Sequence, residues 1–365
     1  MSVWKTVTAA LLLSCALFLP ACAQTGSTSS SASSTQEETP ETITEGSDTA
    51  VSVSYAPYAG THADLFLKEG DRIAVIAPSA IPSKEQVDAT MEGLKSWGYV
   101  PVAGEHVYDQ ETTVDNIQKD LTWALEDNTI KAIFCVRGGY GATEVMDAMS
   151  LDLISSAKKL IIGYSDISVY HAAWRSAGLP SLHACMAATF GDDFPAECAE
   201  AEQKILRGEI PSYTCEGNKH NKAGEAEGVL IGGNLSTFVA TLNTAYDCTQ
   251  ANEPYILFLE EIAENRAHIH RLLTILKNMG VLDNAVGIVF GEWADVPKHE
   301  GFNGNARGGA FESVADMIDR QILADINIPV AFGFPAGHGK NNYPLLMGEI
   351  AKLSVSADKF TLSWK

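Results

Sequence analysis

Apolar runs alternate with amphipathic stretches along most of this 365-residue chain, and that alternation decides what it can fold into. Residues 72–78 read as a buried strand, and residues 83–97 as a helix stopped by Gly98. Residues 114–128 predict a second helix, 131–136 and 159–164 two further strands, and 168–177 a third helix. The rhythm resumes with a strand at 228–231, a helix at 235–242, a strand at 255–259 and a helix at 268–279. A strand at 285–290, a helix at 309–326 and a strand from Pro329 follow, and residues 348–364 alternate as a closing hairpin. Strands separated by helices at such intervals imply α/β architecture with parallel sheets covered on both faces. No internal repeat is visible.

The ends of the chain differ from this pattern. Residues 1–22 carry one basic side chain, Lys5, then an apolar core too short to span a membrane comfortably, then Leu19-Pro20-Ala21-Cys22. That is an export signal closed by a lipobox-like cysteine, so Cys22 is expected to be lipidated and the chain to sit on the outer face of a bacterial membrane; the plain alternative is an ordinary export signal with an incidental cysteine. Residues 23–55, rich in Ser, Thr and Glu and without Lys or Arg, read as a disordered tether. The remainder divides into an N-terminal α/β domain at 56–190, a weakly patterned interdomain connection at 191–223, and a C-terminal α/β domain at 224–365. A formal net charge of −21 repels nucleic acid and anionic head groups, so any membrane contact is expected through the anchor alone.

Seven cysteines include Cys15 and Cys22 in the leader and Cys135, Cys185, Cys198, Cys215 and Cys248 beyond it. None has the spacing of a metal site, and a bridge between Cys198 and Cys215 stays open. His268 and His270, two apart on a helix, do not share a face for a metal.

Three apolar strands deliver a polar residue at their ends, where open α/β sheets place ligands. Ser165 follows residues 160–164, Glu260 and Glu261 close the run from Ile256, and His338 stands in Gly337-His338-Gly339 after the last strand. Serine, carboxylate and imidazole could act as nucleophile, orienter and base. Each residue also has a plain reading: Ser165 as a helix N-cap, the glutamates as a solvated strand end, His338 as a loop histidine. Neighbouring strand residues point oppositely, so only one glutamate can face a given cleft. Arg137-Gly138-Gly139-Tyr140-Gly141 follows another strand; its glycines suit a close backbone approach to a ligand or simply a tight turn.

Taken in order, six segments resemble the LD-carboxypeptidase family of serine peptidases, which includes microcin-immunity peptidases. They are residues 70–79, 137–141, Gly163-Tyr164-Ser165-Asp166, Gly232-Gly233-Asn234-Leu235-Ser236, Leu259-Glu260-Glu261 and Gly337-His338-Gly339. The resemblance implies Ser165 as nucleophile, His338 as base, Glu260 as orienter, an active site at the domain junction, and neither metal nor organic cofactor. It implies an oxyanion site at the Gly139 and Asp166 amides, substrate contacts from Arg137 and Tyr140, and removal of the terminal D-alanine from L,D-linked murein tetrapeptides. A homodimer is left open. Two departures stand out: His183-Ala184-Cys185 replaces the family's His-Gly-Pro, and Glu261 replaces an aspartate. The alternatives are hydrolysis of peptidyl or aminoacyl nucleotides, as in the immunity branch, and a lipid-anchored solute-binding protein.

Overall fold

The computed structural model describes residues 42–46, 48–186, 195–297 and 311–364, all within one unit running from Pro40 to Lys365. The strands in chain order are β1 (Thr42–Glu45), β2 (Val51–Pro57), β3 (Arg72–Ile76), β4 (Val100–Ala103) and β5 (Ile130–Cys135). Next come β6 (Leu160–Gly163), β7 (Ser181–His183), β8 (Glu209–Glu216), β9 (Gly224–Asn234) and β10 (Tyr255–Ile262). The last are β11 (Ala285–Pro297), β12 (Val330–Phe332), β13 (Leu345–Met347), β14 (Ile350–Val355) and β15 (Lys359–Trp364).

They form two sheets. The smaller has the order β13-β7-β6-β5-β3-β4, parallel apart from β13, and the larger runs β1-β11-β10-β9-β14-β15-β8-β2 with β12 on β11. In the larger sheet β9, β10, β11 and β12 are parallel and the flanking pairs antiparallel. β13 returns from near the C-terminus to pair with β7, Leu345 opposite His183, so the chain is stitched back into its first sheet.

Alternation along β10 shows how both faces are covered. Tyr255, Leu257 and Leu259 pack with Leu273 and Leu276 of the helix Arg266–Asn278, whereas Ile256 and Phe258 pack with Phe334 and Phe360 on the opposite face. Burying both faces in this way is what a parallel sheet requires. The helix Lys84–Ser96 begins at a capping box in which Ser83 Oγ accepts from the Gln86 amide and the Gln86 side chain accepts from the Ser83 amide.

Several expectations change here. Residues 42–46 and 48–55, read as part of a disordered tether, contribute β1 and most of β2, which extend the larger sheet at its two ends through backbone hydrogen bonds rather than a core of their own. The stretch 191–223, read as a connection, holds the helix Ala196–Leu206 and β8 among its described residues. Cys135, Cys185, Cys198, Cys215 and Cys248 are all free and buried, so the bridge between Cys198 and Cys215 is not formed. Cys15, Cys22 and the leader lie outside the described residues.

Candidate active site

Ser165 sits immediately after β6 with φ of +68°, in the left-handed region that a side chain other than glycine occupies only at a cost. It opens the short helical turn Ser165–Ile167 and makes no side-chain cap, so the N-cap reading does not hold. The turn is tied to two other strand ends by Asp166, which is buried. Its Oδ2 accepts from Ser79 Oγ at 2.5 Å, beyond β3, and from the Ala142 amide at 3.0 Å, at the helix that follows the glycine loop. In that loop Gly138 is the residue packed on the serine: a Cβ there would lie 2.8 Å from Ser165 Cβ and 3.0 Å from Oγ. Gly139, with φ of +128°, backs onto Ala80 instead. Arg137 donates to the Ile81 carbonyl at 3.2 Å, and Tyr140 is 78% exposed.

The larger sheet supplies the other two groups. Glu260 is fully buried near the end of β10, on the face of Ile256 and Phe258, and its Oε2 lies 2.7 Å from His338 Nδ1. A carboxylate at Nδ1 leaves the lone pair of the neutral ring on Nε2. Gly337, φ +136°, leaves room for this pair, since a Cβ there would lie 2.7 Å from Glu260 Oε2. Burial lowers the His338 pKa, but the charge and hydrogen bond of Glu260 outweigh it and hold the imidazole above its ordinary value. The neighbouring Glu261 faces the other way, accepting from Asn234 Nδ2 at 2.7 Å and from the Ser236 amide at 2.8 Å, at the start of the helix Leu235–Thr241.

What brings these two sets together is the packing of the helix Ser168–Ser176 on β9. Ser168 Oγ accepts from the Asn234 amide at 2.9 Å, and the Tyr164 ring, one residue before Ser165, stands 4.8 Å from the His338 ring. Among the described residues no hydrogen bond joins Ser165 Oγ to His338. Contacts of this kind often tighten only when substrate binds. The departure at Ala184-Cys185 is buried along with His183 before it, whose ring stands edge-on to Tyr164 and Phe258 and whose pKa is pulled well below its ordinary value, chiefly by burial.

One acidic residue near the site was missed in the sequence. Glu292 is fully buried in β11 beside Glu260 and the His338 loop. The signal was there, because Gly291-Glu292 follows the apolar run 285–290 much as Glu260 follows its own. A cavity of about 550 Å3 lined by Glu45, His220, Trp293 and Phe332 includes none of Ser165, Glu260 and His338; hydrogen bonds and ring contacts, not enclosed volume, mark the site. Among the described residues no group of three or more His, Cys, Asp or Glu is placed to hold a metal.

Two α/β halves whose parallel strands end on a hydroxyl, an imidazole and a buried carboxylate have the build of an α/β hydrolytic enzyme. Residues 73–184 match the LD-carboxypeptidase N-terminal domain and residues 227–353 the LD-carboxypeptidase C-terminal domain. A relative from Streptomyces coelicolor is 30% identical over 312 residues, covering 81% of this chain and 94% of that one. The murein tetrapeptide carboxypeptidase of Pseudomonas aeruginosa is 28% identical over 303 residues, 77% of this chain and 92% of its own. The solved muramoyltetrapeptide carboxypeptidase of Oxalobacter formigenes shares the fold with a TM-score of 0.71 at 24% identity, over 80% of this chain and 98% of that one. The chain belongs to the LD-carboxypeptidase family, and is thereby a hydrolase of carboxypeptidase type.

Proposed function

We propose that this chain is a serine carboxypeptidase that releases the terminal D-alanine from L,D-linked murein tetrapeptides through an acyl-enzyme. The observation that carries the reading is the 2.7 Å contact between His338 Nδ1 and Glu260 Oε2, with the His338 ring lying against the residue that precedes Ser165. In the reaction His338 Nε2 takes the Ser165 proton as Oγ attacks the carbonyl preceding the D-residue. The oxyanion is held by the Asp166 and Gly139 amides, and the proton passes to the departing amine as the C–N bond breaks. Water, deprotonated by the same imidazole, then cleaves the ester and restores the serine. Glu260 fixes the ring and steadies its charged form. Arg137 and the exposed Tyr140 belong to the glycine loop whose Gly138 lies on Ser165, and are assigned to substrate contact. The reading places the enzyme outside the cell, tethered through a lipid on Cys22, working without metal or organic cofactor.

The test is mass spectrometry of muropeptide tetrapeptides treated with wild type and with Ser165→Ala. Wild type should yield tripeptide and free D-alanine, and the variant should be slower by about 10³- to 10⁶-fold. An aminoacyl-sulfamoyl adenosine cut in preference to the tetrapeptide would move the substrate to the immunity type, and equal rates for both proteins would remove Ser165 from the chemistry.

A further inference from the structure

β11 carries one extra residue opposite the site. Leu259 of β10 is paired with Phe290, but Glu261 is paired with Trp293, so Gly291 and Glu292 together oppose Glu260. Bulges are uncommon in parallel pairs and re-aim side chains where they occur. Here Phe290 and Trp293 both keep to the face covered by the helix Arg266–Asn278, and the two intervening residues are left to the face of Glu260. Gly291 lies against Glu260 itself, a Cβ there falling 3.0 Å from Glu260 Cβ. The next residue is a second carboxyl group, fully buried.

The bulge sets that carboxyl under the loop that carries His338. A Cβ at Gly339 would lie 2.0 Å from Glu292 Oε2 and 2.6 Å from Cδ, so the loop backbone rests directly on the acid. The Glu292 amide donates to the Ala336 carbonyl at 3.1 Å, holding the start of the loop, and buried Asn342 accepts from the Gly337 amide at 3.1 Å, holding its end. Neither Glu292 oxygen completes a hydrogen bond of normal geometry, although the Gly339 and Asn341 amides lie near enough to lower its pKa. Burial prevails and pushes the group up to about 8, so it is largely protonated at neutral pH. A buried polar group left so loosely satisfied is costly, and its place in the fold calls for an explanation.

We propose that Glu292 is a positioning residue: its carboxyl, pressed on the Gly339 backbone, fixes the loop 336–342 so that His338 Nδ1 stays on Glu260. This rests on the carboxypeptidase reading in which His338 is the base. Glu292 touches no reacting atom in that scheme. It sets the register of the loop, and the ring direction follows.

The test compares wild type with Glu292→Gln and Glu292→Ala in the full chain, reading kcat and KM on a muropeptide tetrapeptide and the His338 Nδ1–H signal by NMR. Glu292→Ala should lower kcat by about 10- to 100-fold with KM changed by about twofold or less, as misplacement of a base by a fraction of an ångström does. The His338 signal should move upfield or broaden in the same variant. Glu292→Gln, with the same shape and no charge, should recover most of the rate and the signal. Should Glu292→Ala not fold, Glu292→Met carries the same expectations. A Glu292→Ala protein with wild-type kcat and an unmoved His338 signal would overturn the proposal, as would equal losses in both variants with the signal unmoved. If wild type leaves the tetrapeptide intact while the signal still shifts in Glu292→Ala, the positioning role stands and the substrate reading falls.

Discussion

Ser165 and Glu292 illustrate two ways in which a single residue departs from what its neighbours would favour. Ser165 holds a backbone angle that costs on the order of 1–3 kcal/mol, and Asp166, through Ser79 and the Ala142 amide, supplies the anchoring that keeps it there. Glu292 holds a proton. The groups facing it are Glu260 on β10, His338 on the loop and Cys198 on the helix Ala196–Leu206. Its carboxyl ionises near 4.5 in an ordinary setting and near 8 in the fold. Between those values the folded chain binds a proton that the unfolded chain has released, so stability falls as pH rises through this window and the loss is complete above it. Relative to Glu292→Gln, wild type should therefore lose stability on the order of a few kcal/mol between about pH 5 and pH 9. Denaturant unfolding of both proteins across that range checks it, and a pH-independent difference would contradict the assignment. Ser165, Glu260 and His338 could be found in the sequence because each ends an apolar run. Glu292 could be suspected on the same ground but not placed, because the bulge that turns it toward the site arises from pairing between strands and leaves no local mark.

The elements that a sequence reader can recover are the long periodic ones. The helices Lys84–Ser96, Val114–Glu126 and Arg266–Asn278 lie within two residues of their expected bounds, since each has an amphipathic repeat and a capping residue, Ser83, Thr113 and Asn265. The short strands β7 and β13 escape, with three residues each and a pairing that joins positions 183 and 345. The helix expected over 309–326 is, in its described part, a turn at Val314–Met317 followed by a wider π-type turn at Ile318–Ile322. Residues 309 and 310 lie outside the described part. The junction between β9 and the helix Ser168–Ser176 depends on the absence of a side chain at Gly233, where φ is +135° and a Cβ would lie 2.3 Å from Ser168 Oγ. Gly233→Ala should push the two elements apart, destabilising the protein by about 2–4 kcal/mol and reducing hydrolysis by more than the loss of folded protein explains. Thermal unfolding together with activity per folded molecule measures both, and a variant with wild-type values would show that the junction tolerates the extra carbon.

At the scale of the whole molecule, the α/β class was readable from alternation alone, whereas the order of the strands was not. Adjacency in the larger sheet joins β2 to β8 and β9 to β14, pairings whose partners lie more than a hundred residues apart and share no motif. The ends were the least readable: β1 is four residues long, and β2, although Val51-Ser52-Val53-Ser54-Tyr55 alternates, follows a Ser/Thr-rich stretch; each gains order by adding to an existing edge, with Ile43, Val51 and Val53 packed on the core already there. No helix among the described residues is long and apolar enough to cross a membrane. The attachment proposed above is through Cys22. Cys22→Ala should move the protein from the membrane fraction to the soluble fraction of exported material without changing its rate on soluble muropeptides. Immunoblots of the fractions decide it, and retention on the membrane would rule out the thioether anchor.

The return of β13 to pair with β7 also sets an order in time. His183 cannot take up its paired position until Leu345 has arrived, and His338 comes only a few residues earlier. A chain emerging N-terminus first therefore carries its serine through most of synthesis without His338 beside it, and assembles the pair only when nearly all of it has been delivered. Latency of this kind requires no propeptide: connectivity alone keeps a hydrolytic site unassembled until the molecule is whole.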